Sequence, residues 1–145
     1  MRKLITILIF TISLASYGQI HNPVKWTTSV KKISDKESEL IATATLDHEW
    51  YIYSQEIPEG GPLPTVFSFT GDQRYLKKGN TKEGEGHVVD DEVFDMRIKY
   101  FDNKAVFKQR IRLKTNEKFI IKGTVEYMVC SGENCLPPKE IDLSF

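Results

Sequence analysis

Two cysteines in 145 residues are too few for a disulfide-stapled scaffold. Four residues separate them, and the three histidines (His21, His48 and His87) are scattered, so the paired ligands of a structural zinc site are missing. No metal and no cofactor is expected. Past residue 18 no apolar run approaches the roughly 20 residues of a membrane helix, which excludes stable insertion in a bilayer. Lys and Arg (20) balance Asp and Glu (20), and no basic stretch is interleaved with aromatics, so nucleic-acid binding is not expected. No window carries a capped helical stripe, and there is no internal repeat or low-complexity tract.

What is present begins at the N-terminus. Arg2 and Lys3 precede an uncharged apolar run from Leu4 to Leu14, and the small residues Ser16 and Gly18 stand where cleavage before Gln19 requires them. This is the layout of a secretory signal peptide, residues 1–18, with no lipoprotein cysteine near residue 19. An exported, periplasm-facing domain over residues 19–145 is expected. It carries 18 basic and 20 acidic residues, a net of −2. Its length suits one domain able to bury a core without staples.

Along that domain the apolar period is two. Leu40, Ala42, Ala44 and Leu46 alternate with Ile41, Thr43 and Thr45. Ala105, Phe107, Ile111 and Leu113 alternate with Val106, Lys108, Arg110 and Arg112, with Gln109 a polar intruder on the apolar side. A third run, Phe119 to Val129, sets Ile121, Val125 and Tyr127 against Lys122, Thr124 and Glu126. Shorter runs at 24–30, 50–54, 65–69, 96–101 and 141–145 are separated by turn signals such as Gly71-Asp72, Gly79-Asn80 and Asp102-Asn103. Seven to nine short strands predict an all-β fold, a two-sheet antiparallel β-sandwich. Residues 80–95, glycine-rich and then acidic, read as one long loop.

Cys130 ends the third run, and Cys135 follows after Ser-Gly-Glu-Asn, a turn composition. The spacing predicts a tight hairpin that brings the thiols together, and an oxidising compartment would join them. Closing a six-residue loop contributes about 2 kcal/mol, against about 4.7 for a 100-residue loop, so stability alone is a weak reason for this bridge. Strand parity places Cys130 on the side away from Tyr127 and Val129, outside the core and open to another protein's thiolate. Two readings stand at this point. One is a redox-active pair; the other is a secreted binding module with a structural hairpin disulfide.

The stretch Gly123 to Pro138, with Tyr127 three residues before Cys130 and then Cys135-Leu-Pro-Pro, resembles the active-site hairpin of the N-terminal domain of the DsbD thiol:disulfide interchange family. The block Trp50-Tyr-Ile-Tyr-Ser54, followed by Gly60-Gly-Pro-Leu-Pro-Thr65, fits the same family. The spacer between the cysteines is four residues here and five in its best-known members. The resemblance implies an immunoglobulin-like sandwich that takes reducing equivalents from a thioredoxin-like donor fed through the membrane. Its acceptors would be oxidised thioredoxin-like proteins, such as disulfide isomerases and cytochrome c maturation thioredoxins. It implies that Cys135 forms the intermolecular mixed disulfide and that Cys130 resolves it. It also implies an aromatic cap, for which Phe94 is the candidate, with Asp91 and Glu92 as neighbouring carboxylates. Trp50 and the Gly60-Gly61-Pro62 loop read as scaffold. Family members continue into a multi-helix membrane domain and a thioredoxin-like domain. Without them the donor would be a separate protein, or the domain has been put to another use.

Overall fold

A computed structural model describes residues 21–145 apart from Val93 and Glu133. The expected signal segment, residues 1–18, lies outside the described residues. The described residues form eleven strands: β1 (Val24–Lys32), β2 (Glu37–Leu46), β3 (Tyr51–Tyr53), β4 (Val66–Phe69), β5 (Tyr75–Glu83) and β6 (His87–Asp91) come first. Then follow β7 (Met96–Asp102), β8 (Lys104–Leu113), β9 (Lys122–Tyr127), β10 (Val129–Cys130) and β11 (Lys139–Ser144). They pair antiparallel in the orders β1-β2-β8-β5, β10-β3-β7-β6 and β11-β9-β4. The first sheet is one layer. The other two make up the second, joined at Met128, where the chain leaves β9 and enters β10.

Alternation drives this arrangement. Every second residue of β2 and β8 is buried, and the buried set meets Ile52, Phe101, Val125, Tyr127 and Leu143 of the other layer. Ala44 lies between Trp26 of β1 and Ala105 of β8. The two small side chains leave room for the indole, which packs against Phe107 and Tyr127 with ring centroids 5.9 and 5.4 Å away.

The polar intruder has a structural reason. Pairing of β5 with β8 shifts register between Lys78 and Lys82, and Gly79 there takes φ +66°. The bulge removes ladder hydrogen bonds. Buried Gln109 replaces them, its Nε2 donating to the carbonyls of Lys78 (3.1 Å) and Arg110 (2.8 Å) while its Oε1 accepts from the Thr81 hydroxyl at 2.9 Å.

The long loop expected over residues 80–95 is instead the end of β5, a turn and β6. Both strands are edges, so they need little apolar alternation and β6 exposes Val88 and Val89. Gly86 makes the turn with φ +62°, and a Cβ there would sit 2.7 Å from the Tyr100 carbonyl oxygen. Past β6, Glu92, Phe94 and Asp95 lie outside the strands. The third run is also shorter than expected, since β9 begins at Lys122.

Glu83, at the end of β5, ties the strands together. Its carboxylate accepts from the Ser54 hydroxyl (2.5 Å), the Gln55 backbone N–H (2.9 Å) and the Lys99 ammonium (3.1 Å). Burial pushes this carboxyl up, but the three donors outweigh burial and hold it below its ordinary value.

Candidate functional site

The two cysteines close a hairpin. The Ser131 N–H donates to the Asn134 carbonyl (2.7 Å) and the Leu136 N–H to that of Val129 (2.9 Å). Cys130 and Cys135 face each other as a cross-strand pair with Cα atoms 4.0 Å apart, joined by a disulfide. The two sulfurs differ in surroundings: the Cys130 residue is 0% exposed, whereas Cys135 is exposed.

The burial of Cys130 corrects the expectation of an open sulfur there. Its parity is as read, since Val129 and Tyr127 face the main core. The opposite side is not solvent, however. A second small core covers it, built from Tyr53, Ile98 and Cys130, with Phe94, Met96 and Met128 packed against them. It arises because β10 pairs with β3, setting Cys130 opposite Tyr51, and β3 pairs in turn with β7.

Tyr53 is a residue to which the sequence alone assigned no role. Its hydroxyl donates to Cys130 Sγ at 3.4 Å inside the protein. Burial raises its pKa well above the ordinary phenol value, and the Tyr51 hydroxyl and the Asp91 carboxylate add to the shift. The phenol therefore keeps its proton and remains a donor. The signal was there in the Trp-x-x-Tyr-Ser block, but placing Tyr53 on the cysteine required knowing that β3 pairs with β10.

The residues expected around the disulfide are partly assembled. Phe94 is half-buried and packs against the cluster containing Cys130. Its N–H donates to Asp91 Oδ1 at 3.1 Å, which pins the short loop, and Asp95 turns it with φ 51°. Asp91 is half-buried at the end of β6, and its charge acts on Tyr53. Glu92 is exposed. On the other side of the hairpin, an apolar cleft of about 250 Å³ runs between Pro23, Tyr127, Val129 and the segment Leu136–Pro138. Pro137 and Pro138 are exposed and lack N–H groups, so this edge cannot extend the sheet further.

A β-sandwich that displays one sulfur of a hairpin disulfide and buries the other has the asymmetry that thiol:disulfide exchange requires. The chain belongs to the family described as thiol:disulfide interchange protein DsbD, N-terminal, whose model matches residues 22–144. Among solved structures it is similar to the DsbD N-terminal domain of Neisseria meningitidis in the reduced form. That match has 14% identity and a TM-score of 0.53, covering 83% of each chain. It is similar to the N-terminal periplasmic domain of ScsB from Proteus mirabilis at 16% identity and a TM-score of 0.60. There it covers 86% of this chain and 47% of that one. A third match is the complex between the DsbD and PilB N-terminal domains of Neisseria meningitidis, at 13% identity, a TM-score of 0.52, and 82% and 80% coverage. No curated protein matches significantly. At these identities the structural likeness establishes the immunoglobulin-like fold; the family match and the cysteine pair support thiol:disulfide exchange.

Proposed function

We propose that this domain passes reducing equivalents between thioredoxin-like proteins in the periplasm, after residues 1–18 have directed its export. A donor's thiolate attacks Cys135 Sγ, the Cys130–Cys135 bond breaks, and Cys130 leaves as a thiolate. The donor's second thiol then attacks the mixed disulfide, leaving the donor oxidised and the domain as a dithiol. Onward transfer runs the same steps with Cys135 attacking the acceptor's disulfide and Cys130 resolving. The observation that carries this reading is the asymmetry of the pair: attack requires access, and Cys135 alone offers it. Tyr53 stabilises the sulfur that leaves. The similar complex of a DsbD N-terminal domain with a PilB N-terminal domain supports a protein partner, and the ScsB likeness supports a periplasmic setting.

Mild reductant is expected to open the disulfide while the sandwich stays folded, because a six-residue closure contributes only about 2 kcal/mol. Circular dichroism during a redox titration checks this. A potential above about −300 mV with β-structure retained supports exchange. Unfolding on reduction would mean a structural bridge in a binding module, which Cys130's membership of a small core would then explain.

Phe94 is proposed as the cap over the pair, with Asp91 holding its loop and Glu92 at the rim. Phe94→Ala is expected to leave the fold largely intact and to speed reduction by a small generic thiol severalfold. An unchanged rate with a stability loss of about 3–5 kcal/mol would make Phe94 an ordinary core aromatic.

A further inference from the structure

Charges that look mixed along the chain are sorted by the registers of the first sheet. On its outer face, Lys25 and Lys104 flank Thr45, and Lys82 lies beside Lys108. The next row runs Lys31, Glu39, Arg110 and Lys78, and the last pairs Glu37 with Arg112. The face thus holds eight basic side chains and two acidic ones, a net of +6. From residue 19 onward the chain carries 18 basic and 20 acidic residues, so all that lies off this face sums to −8. Sheet register has made a dipole out of a nearly neutral domain.

Both carboxylates are consumed within the patch. Glu37 pairs with Lys78 at 2.5 Å and Arg110 at 3.1 Å, while Glu39 lies 3.9 Å from Lys108 and 4.0 Å from Arg110. Lys25, Lys82, Lys104 and Arg112 are exposed and in no salt bridge among the described residues. Where β5 bulges, the face dips into an open depression of about 370 Å³ whose lining holds four cations, Lys78, Lys82, Lys108 and Arg110, against one carboxylate, Glu39. That lining suits a phosphate group.

We propose that the outer face of the β1-β2-β8-β5 sheet docks this domain on an anionic lipid surface, with a headgroup phosphate received in the depression at the bulge. A bilayer fits better than an acidic protein for two reasons. The face is broad, roughly 15 by 30 Å from its strand number and length, and its cations, on β1, β8 and β5, reach well beyond the depression, from Lys25 and Lys104 at one end to Arg112 at the other. It also lacks the aromatic anchors that protein interfaces use, offering Thr27, Ser29, Thr43 and Thr45 between its cations and only Leu76 as an exposed large apolar group. None of these residues belongs to the cluster around Cys130, so docking leaves the hairpin in the other layer free for a partner.

The protein from residue 19 onward, which contains the whole described fold, is incubated with phosphatidylcholine vesicles with and without phosphatidylglycerol and sedimented. It is expected to bind only the anionic vesicles, and less as salt rises. Each cation near such a surface multiplies affinity about fivefold, so Lys82→Gln/Lys104→Gln/Lys108→Gln is expected to weaken binding roughly a hundredfold. Lys118→Gln/Lys122→Gln/Lys139→Gln removes the same charge elsewhere and is expected to change binding little. Circular dichroism confirms that both variants fold. Equal losses in the two triple variants would reduce the effect to net charge and overturn the proposal. No binding to anionic vesicles at low salt would overturn it as well, and would leave the face to an acidic protein.

Discussion

Cys130→Ser is expected to trap a thioredoxin-like partner as a stable mixed disulfide, and Cys135→Ser to trap none. The two variants differ only in which sulfur survives. In the first, the remaining thiol is on the exposed side of the hairpin, followed by Leu136 and two prolines that keep the edge open. In the second, it is at a position with 0% exposure, enclosed by Tyr53, Ile98 and their neighbours. Thiol–disulfide exchange is a displacement that needs the attacking sulfur in line with the bond it breaks, and a buried sulfur cannot reach that line without opening the small core. Burial also disfavours the thiolate, the reactive form. Each variant is incubated with a thioredoxin-like protein activated at its cysteine and run on a non-reducing gel. A band at the combined mass is expected for Cys130→Ser alone. Equal trapping would dissolve the division of roles, and no trapping by either would return the domain to a plain binding module.

What was legible in the sequence follows from locality. The period-two runs of β2 and β8 announce themselves because each has one face in the core, and the Ser-Gly-Glu-Asn turn announces the hairpin because turn chemistry is local. The edge strands β5 and β6 were hidden for the same reason reversed. With most of β5 and β6 exposed, they have no alternation to display. Cys130 shows the limit of parity. Alternation correctly put it opposite Tyr127 and Val129, but a face away from one core was taken for solvent when a second core covers it. That second core, the contact of Tyr53 with Cys130 and the basic outer face all depend on pairings between distant segments, β10 with β3 and β8 with β2 and β5. No local pattern encodes those. The family resemblance supplied Phe94 and Asp91 where spacing could not; Phe94 packs against the cluster that holds Cys130, Asp91 accepts from the Phe94 N–H, and Glu92 is exposed.

Tyr53→Phe is expected to slow reduction of the disulfide by a small thiol about tenfold, and to raise the pKa of the Cys130 thiol in the reduced domain by about one unit. The reasoning starts from the leaving sulfur. When Cys135 is attacked, the electron pair of the broken bond goes to Cys130 Sγ, and negative charge develops inside a small apolar core. Charge there is costly unless a donor meets it. The Tyr53 hydroxyl lies 3.4 Å from that sulfur and is held protonated by its own burial, so it can donate as the charge develops. A hydrogen bond to a charged group contributes about 1.5–3 kcal/mol, and a tenfold change corresponds to the lower end of that range, as suits a sulfur acceptor. Phenylalanine keeps the ring and its packing against Tyr51, whose centroid lies 5.6 Å away, while removing only the donor. Thiolate absorbance during a pH titration of the reduced domain reads the pKa, and reduction kinetics read the rate. If both stay at their wild-type values while thermal stability falls, Tyr53 is a packing residue and the leaving thiolate is stabilised in some other way.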